Sequence, residues 1–289
     1  MRAFAVSVAA AAAALGLAAA VAGAAAEPGG SVLAFERDGV VVARLAREAL
    51  ARACGARTIA VDDPAYGRRK RFRACPLATV LRLGFGDLDA AVRADVDVIF
   101  RARDGYVKSA SLALVREPGG WLAFADADRM RGDDPGWEPI DGRHGDPGPY
   151  YVVWEDPAAH DVRRYPWPYQ VTAIELGSLA ERWPHIAPAG LPAAAPAWTG
   201  FAVFRRECIA CHAINGEGGT KGPELNVPRS IVEYRPIEQL KAYVRAPQSF
   251  RYTSMPAHAH LSDAELDGLI AYFTAMRDRK HDPAGAAAR

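Results

Sequence analysis

Cysteine and methionine are scarce in this sequence, with four of each among 289 residues. An excess of charge of one sign is also missing, because 35 lysines and arginines accompany 34 aspartates and glutamates. A net charge of +1 gives no support to nucleic-acid binding, which requires a clustered basic face. No second long apolar run follows the first 26 residues, so no membrane span is predicted beyond them. What remains is a globular composition, 50% hydrophobic, with room for two domains.

Two of the four cysteines lie in the stretch Cys208-Ile209-Ala210-Cys211-His212. This spacing is typical of c-type haem attachment, in which two thiols add to the vinyl groups of the porphyrin and the histidine ligates the iron. A zinc knuckle would need two further Cys or His ligands, and none is obvious nearby. A thioredoxin-like pair would follow a strand, whereas the flanks here look helical. The sequence therefore predicts one covalently bound haem c.

The first 26 residues have the features of an export signal. Arg2 supplies a positive start, residues 4–22 are almost all apolar, and Ala24-Ala25-Ala26 offers a small-residue cleavage site. An uncleaved membrane anchor is the alternative, but the alanine-rich core is only weakly apolar. We predict a cleaved signal peptide over residues 1–26, a periplasmic protein, and contact with the membrane only through this signal.

The other two cysteines, Cys54 and Cys75, both precede the motif by more than a hundred residues. The periplasm permits disulfides, and a bond between them would close a loop of about 20 residues and contribute about 3 kcal/mol. Two buried free thiols are the alternative.

Residues 27–188 show mixed α and β patterns. Helices are predicted over residues 41–52 and from residue 76, and the basic run at residues 68–73 is interpreted as a solvated loop. Period-two and β-branched patterns predict strands over residues 58–61, 96–100, 110–115, 121–125, 150–154 and 170–176. Asp104-Gly105-Tyr106 predicts a hairpin turn. The fold class predicted for this part is α+β.

Several phrases in this part resemble the molybdopterin-binding domain of the sulfite oxidase family. They are Arg73-Ala74-Cys75-Pro76-Leu77, Asp104-Gly105-Tyr106, Pro149-Tyr150-Tyr151-Val152-Val153-Trp154 and Val171-Thr172-Ala173-Ile174. The resemblance implies a sulfite-oxidase-like fold. That family binds its metal through a cysteine thiolate, and neither Cys54 nor Cys75 matches the ligand pattern. We therefore expect a scaffold without molybdenum.

Residues 189–197 are rich in proline and alanine and predict a semi-rigid linker. Residues 198–282 resemble the class I cytochromes c over nearly their whole length. The resemblance is carried by Gly200 and Phe204 on the first predicted helix, by the haem-attachment motif and by the capping box Ser262-Asp263-Ala264-Glu265 before the last helix. It implies an all-α cytochrome c domain in which the first and last helices cross at the glycine.

The resemblance also implies the group that orients the proximal histidine and the ligand on the other side of the iron. Pro223, after Gly222, takes the place of the proline whose carbonyl accepts a hydrogen bond from the proximal imidazole. Met255 lies in a loop before the last helix and is the candidate sixth ligand of the iron. His258 and His260 are rival ligands close by, while Met276 falls inside a helical pattern. The predicted metal ligands are therefore His212 and Met255.

The function predicted from these features is that of a periplasmic monohaem c-type cytochrome. It would carry single electrons to or from a redox protein such as a dehydrogenase or an oxidase, so a carrier role is favoured over catalysis. One alternative is a haem-containing fusion of a sulfite-oxidase-like molybdoenzyme. A second alternative is a haem-based sensor, which would need an open or labile sixth position on the iron.

Overall fold

The protein is described by a computed structural model over residues 31–89, 91, 96–141, 145–162 and 164–283. The predicted signal peptide, residues 1–26, lies outside the described residues. Within these ranges a β-rich part precedes a helical part. We call residues 31–188 the front region and residues 196–283 the C-terminal region. Among the described residues no helix is both long and apolar enough to cross a membrane.

One five-stranded sheet of the front region has the strand order β2-β1-β9-β5-β6. Its strands pair antiparallel except for β1 with β9, which run parallel. The five strands are β1 (Val32–Arg37), β2 (Val40–Ala46), β5 (Asp97–Ala102), β6 (Val107–Ser111) and β9 (Val171–Gly177). The strands predicted at residues 96–100 and 170–176 are thereby confirmed.

A second, four-stranded antiparallel sheet has the order β3-β4-β7-β8. Its strands are β3 (Arg57–Asp63), β4 (Arg68–Pro76), β7 (Gly120–Asp126) and β8 (Tyr151–Trp154), and the predictions at 58–61, 121–125 and 150–154 are confirmed. Helices α1 (Arg47–Ala53) and α2 (Leu77–Phe85) and the short α3 (Leu112–Val115) and α4 (Leu179–Arg182) complete the region.

The solvated loop predicted over residues 68–73 is wrong, because these residues form most of β4. Burial alternates along the strand, with Lys70 and Phe72 inside and Arg69 and Arg71 outside. The buried ammonium of Lys70 is neutralised by Asp126, at 2.5 Å, and by a second carboxylate. A basic run can thus form a strand when one of its charges has a buried partner.

The helix predicted over residues 41–52 is correct only from Arg47, because residues 40–46 form β2. Asp38 and Gly39 both have positive φ, which makes the tight turn that joins β1 to β2. The three valines that follow are β-branched and favour the extended conformation. The strand predicted over 110–115 likewise ends at Ser111, whose hydroxyl accepts from Leu114 N at the start of α3.

Large side chains fill the core of the front region, and Phe35, Tyr150, Tyr151 and Trp154 are fully buried there. A disulfide joins Cys54, at the end of α1, to Cys75 in β4. Of the two possibilities that the sequence leaves open for these cysteines, the structure shows the disulfide. On the usual scale a link of this span stabilises the fold by about 3 kcal/mol.

The C-terminal region is mainly helical. Its elements are α5 (Pro196–Val203), continued by a π-helical turn (Phe204–Cys208), the two-residue strands β10 (Ala213–Ile214) and β11 (Glu217–Gly218), a 3-10 turn (Ile231–Glu233), α6 (Ile237–Arg245), a second 3-10 turn (Pro247–Ser249) and α7 (Asp263–Arg277). The predicted capping box starts α7, because the Ser262 hydroxyl accepts from Glu265 N.

Helices α5 and α7 cross at two glycines, as predicted for Gly200. A Cβ atom on Gly200 would lie 1.9 Å from the carbonyl oxygen of Gly268, so only glycine allows this approach. One turn further, the ring of Phe204 packs 5.3 Å from that of Tyr272 and 6.3 Å from that of Phe273. The crossing fixes the orientation of α5 and therefore the position of the residues that follow it.

Candidate cofactor-binding site

The π-helical turn at the end of α5 presents the cysteine motif to a cavity. Cys211 N and His212 N both donate to the carbonyl of Cys208, at 3.0 and 2.9 Å. The chain therefore curls tightly over these five residues, which brings both cysteines and the histidine to one side. This local turn is what the Cys-x-x-Cys-His spacing requires.

The cavity has a volume of about 430 Å³, within the range of about 300–1,000 Å³ common for ligand sites. All five predicted site residues line it: Cys208, Cys211, His212, Pro223 and Met255. The structure thus brings together residues that are spread over 48 positions of the chain. Apolar side chains make up much of the remaining wall, among them Leu225, Ile231, Leu240, Val244, Leu269 and Phe273.

His212 is held by a hydrogen bond in which its Nδ1 donates to the carbonyl oxygen of Pro223, at 2.8 Å. This bond places the ring proton on Nδ1 and leaves the lone pair of Nε2 for a metal. Burial lowers the pKa of His212, which keeps the imidazole neutral near pH 7. Pro223 thus occupies the position that the family resemblance implies.

Gly222 lies against the face of this imidazole. A Cβ atom at this position would be 2.5 Å from Cε1 and 2.7 Å from Nδ1 of His212. Any side chain there would push the ring out of its place. This role of Gly222 was not predicted, and the only signal for it in the sequence is the position of the glycine directly before Pro223.

Glu224 holds the loop between the motif and Pro223. Its carboxylate accepts from the backbone N–H groups of Asn215 at 3.0 Å, Gly216 at 2.9 Å and Asn226 at 2.7 Å. Sequence reasoning missed this residue as well, because an acidic residue in a polar loop carries no signal by itself. Its bonds fix the loop that carries Gly222 and Pro223.

The two thiols do not have the properties of a redox pair. Burial raises the pKa of Cys208 to about 12 and also raises the pKa of Cys211. Reactive Cys-x-x-Cys pairs depend on a lowered thiol pKa, which makes one cysteine a thiolate near neutral pH. The environment therefore argues against the thioredoxin-like alternative.

Met255 lies in the loop between the second 3-10 turn and α7, and its half-buried side chain lines the cavity. Gln248 Nε2 donates to its carbonyl at 2.7 Å, and its own N–H donates to Thr253 Oγ1 at 3.1 Å. These bonds hold the loop beside the cavity. Met276, in contrast, is fully buried between α7 and its neighbours, as expected for a core residue.

The rival ligands His258 and His260 face a carboxylate. His258 Nδ1 lies 3.5 Å from Glu207 Oε2, and His260 Nε2 lies 3.2 Å from Glu207 Oε1. His258 also lines the cavity, whereas His260 is not among the residues that line it.

A hairpin of the front region contacts the motif directly. Val107 N donates to the carbonyl of Ala210, inside the motif, and Thr220 N donates to the carbonyl of Gly105, both at 2.8 Å. Lys221 Nζ pairs with Asp104 Oδ2 at 2.6 Å. The predicted turn at 104–106 is thus confirmed, and it serves as the contact between the two regions.

Tyr106, at the tip of this hairpin, is packed beside the second cysteine. Burial is the main cause that raises the pKa of Tyr106, and the neighbouring Cys211 adds to it. Lys221 lies 5.9 Å from the Tyr106 ring and 5.6 Å from the ring of Tyr169. The side of the motif at Cys211 is therefore covered by the front region.

Comparison with known proteins supports a haem-binding assignment for the C-terminal region. The family model described as "Cytochrome c" matches residues 197–276. Over 77 residues the chain is 35% identical to a protein named "Cytochrome c oxidase subunit 2" from Alkalihalophilus pseudofirmus. That alignment covers 24% of this chain and 22% of the relative, so the chain matches about a fifth of the relative's length.

Proposed function

We propose that this protein is a monohaem c-type electron carrier, since the family model described as "Cytochrome c" matches residues 197–276. Cys208 and Cys211 would attach the porphyrin, and His212 would ligate the iron through Nε2. The observation that carries the proposal is the bond from His212 Nδ1 to the Pro223 carbonyl, 2.8 Å long, at the wall of an apolar cavity that Met255 also lines.

The residues of this cavity fit a haem c. Two thiols lie on the same side as the imidazole, Gly222 leaves room for that imidazole, and the remaining wall is largely apolar. When bound, the haem supplies one-electron redox chemistry at its iron. Met255 would add a soft, neutral sulfur ligand, which favours ferrous iron and a higher potential than a second histidine would. Apolar side chains such as Leu240 and Phe273 would exclude water from the site.

The front region would position the haem for its partner. The hairpin at Gly105 bonds to the motif through two backbone hydrogen bonds, so the Cys211 side of the site is covered and other faces are left for docking. The rim near the cavity includes the exposed side chains of Tyr234 and Tyr252. A single-electron carrier requires a redox protein as partner, and an oxidase or a dehydrogenase is the class we propose.

The sulfite-oxidase-like fold of the front region is part of the same proposal, without its metal. All four cysteines of the chain are accounted for, two in the disulfide between Cys54 and Cys75 and two in the haem motif. The front region thus offers no thiolate for molybdenum, which disfavours the molybdoenzyme alternative.

Export to the periplasm is supported by two independent features. Residues 1–26 have the pattern of a cleaved signal peptide. The disulfide between Cys54 and Cys75 belongs to an oxidising compartment, which is also where c-type haem is attached.

The proposal is tested on protein purified from the periplasm of a host that matures c-type cytochromes. We expect one covalent haem and one iron per chain, no stoichiometric molybdenum, and a methionine-to-iron charge-transfer band in the oxidised protein. Met255→Ala should remove the band and lower the reduction potential, because the sulfur ligand is lost. The matched control Met276→Leu should keep both.

Three results would contradict this assignment. Colourless mature protein would refute haem attachment. Stoichiometric molybdenum would favour the enzyme alternative. Carbon monoxide binding to the reduced wild-type protein at neutral pH would favour the sensor alternative, since a firmly bound Met255 leaves no open position on the iron.

A further inference from the structure

Glu207, His258 and His260 form a cluster next to the haem motif that the electron-carrier function does not use. One ligand atom from each residue lies within 4.8 Å of the other two. His258 Nδ1 is 3.5 Å from one carboxylate oxygen of Glu207, and His260 Nε2 is 3.2 Å from the other. Among the residues that the structure describes, this is the one group of three or more His, Cys, Asp or Glu side chains arranged closely enough to hold a metal ion.

These distances are close to those in a metal site. Zinc binds nitrogen and carboxylate oxygen at about 2.0–2.2 Å, so two ligands of a tetrahedral ion lie about 3.4 Å apart. The distances from Glu207 to the two imidazoles therefore need changes of only a few tenths of an ångström. The ligand atoms of the third pair, His258 and His260, lie within 4.8 Å of each other, so the exposed His260 side chain would move toward the ion by up to about 1.4 Å.

The backbone holds two of the three ligands firmly. Glu207 lies in the π-helical turn that ends at Cys208. His258 is packed with only 8% of its side chain exposed, its N–H donates to the Val244 carbonyl at 3.1 Å, and its carbonyl accepts from Leu261 N at 3.1 Å. His260 is 55% exposed, which leaves the cluster open to solvent on one side. A bound ion could enter from there and keep a water as its remaining ligand.

From this geometry we propose that Glu207, His258 and His260 form a site for a divalent first-row metal ion, with zinc as the fitting ion. Two imidazoles and one carboxylate are a ligand set that zinc uses in sites with an open fourth position. The cluster is separate from the haem ligands, so it would be a second metal site in the protein.

An arginine competes with the ion for the carboxylate. Arg206 Nε lies 2.6 Å from Glu207 Oε1, and its guanidinium also reaches Glu265 Oε1 at 2.8 Å. The Arg206 side chain is half exposed, so it can turn away from Glu207 and keep its pairing with Glu265. Glu207 Oε2 faces His258, so this oxygen is available to the ion whether Arg206 pairs with Glu207 Oε1 or turns away from it.

Isothermal titration of the untagged haem-loaded protein with zinc chloride tests the site. We expect one zinc per haem in the wild type. His260→Ala should weaken binding at least about tenfold, since loss of even an outer-shell partner costs metal sites about 10- to 100-fold. Glu207→Gln should weaken it similarly, because the amide is a poorer ligand. His281→Ala is the matched control, as this exposed histidine lies beside His185 and outside the cluster.

Haem absorption of each variant shows whether the fold is kept. His260 does not line the cofactor cavity, so a normal haem spectrum is expected for His260→Ala. Absence of zinc binding by the wild type would overturn the proposal. Equal losses of affinity in His260→Ala and His281→Ala would also overturn it, because binding would then be unspecific.

Discussion

The front region and the C-terminal region bury apolar surface in different ways. The front region fills its core with its own large side chains, including Trp154, Tyr150 and Phe35, and closes it with a disulfide. The C-terminal region surrounds a cavity of about 430 Å³ with apolar side chains. The first region therefore fills its own core, whereas the second has a cavity that the proposed haem would fill.

This difference explains how the two regions are joined. The hairpin between β5 and β6 belongs to the front region, yet Val107 packs with the core of the C-terminal region and bonds to the motif. A region with a filled core thus contacts a region whose cavity the proposed haem would fill. Five variants test whether the two regions are stabilised independently, and they are ordered by the size of the expected change.

Loss of haem attachment should separate the two regions most strongly. In the double variant Cys208→Ala, Cys211→Ala the cavity of about 430 Å³ would stay unfilled. The apolar wall would then be exposed to water, and a region of about 80 residues has a core too thin to compensate, so we expect the loss of cooperative folding in this region. By hydrogen exchange we expect rapid exchange across the C-terminal region and protection across the front region. A cooperatively folded, haem-free C-terminal region would contradict the comparison.

A side chain at the helix crossing should damage only the C-terminal region. In Gly200→Val the new Cβ would lie 1.9 Å from the Gly268 carbonyl oxygen, so α5 and α7 must move apart. We expect a loss of about 3 kcal/mol or more in denaturant unfolding followed by haem absorption. Ala202→Val, on the exposed side of the same helix, is the control and should cost less than about 1 kcal/mol. Equal losses would contradict the crossing geometry.

Removal of the disulfide should damage only the front region. The double variant Cys54→Ala, Cys75→Ala frees a link that spans 21 residues and should cost about 3 kcal/mol. Unfolding of the front region can be followed by tryptophan fluorescence, while the haem spectrum should stay unchanged. A changed haem spectrum would show that the regions are less independent than the structure indicates.

A side chain at the tip of the hairpin should weaken the contact between the regions. In Gly105→Ala the Cβ would lie 2.3 Å from Thr220 Oγ1, in a residue whose φ is +84°. Gly67→Ala is the control, since its φ is +62° but nothing lies within 4 Å. In both variants an alanine at positive φ should lower the free energy of unfolding by about 1 kcal/mol. The contact with Thr220 in Gly105→Ala should lower it by about 1 kcal/mol more. Limited proteolysis between the regions should then accelerate in Gly105→Ala alone; equal rates would refute the docking role.

Acid should weaken the front region through Glu138. Its hydrogen bond from Lys70, followed by that from Arg68, lowers the pKa of Glu138 from 4.5 to about 2. A lowered carboxyl pKa stabilises the fold above about pH 4.5, and this contribution is lost as the pH falls toward 2. Glu138→Gln should therefore be less stable than the wild type by about 1 kcal/mol or less at pH 7.

The difference between Glu138→Gln and the wild type should shrink between pH 4.5 and pH 2, as measured by thermal unfolding at several pH values. Asp62→Asn is the matched control, because Asp62 and its ion-pair partner Arg69 both have more than 60% of the side chain exposed. A difference that stays constant down to pH 2 would contradict the role of the Glu138 carboxylate.

Most strands of the front region could be predicted, because alternation of buried and exposed residues is a local property. The errors have causes that are not local. The basic residues 68–73 can form a strand because the ammonium of Lys70 pairs with the carboxylate of Asp126, 56 residues away. The helix predicted from residue 41 is wrong up to residue 46, because charged residues between apolar ones fit both the helical and the strand period. Pairing with β1 makes these residues a strand.

The five predicted residues of the cofactor site all line the cavity, whereas the roles of Gly222 and Glu224 and the contact of the Gly105 hairpin with the motif were not predicted. The first group is specified by a short motif and a family resemblance. The second acts through close contacts, such as the missing Cβ beside the His212 ring. Such contacts leave no pattern in a single sequence.

The chemistry of this protein follows from short stretches of its sequence: two thiols and an imidazole at a spacing that only a tight turn can present, and a methionine loop before a capped helix. The surroundings of these groups depend on how distant parts of the chain pack. The hairpin lies on the motif, and His258 and His260 turn to Glu207, because packing brings together residues that are far apart in the chain. Covalent attachment depends on neighbours in sequence, but enclosure, docking and a second metal site depend on neighbours in space.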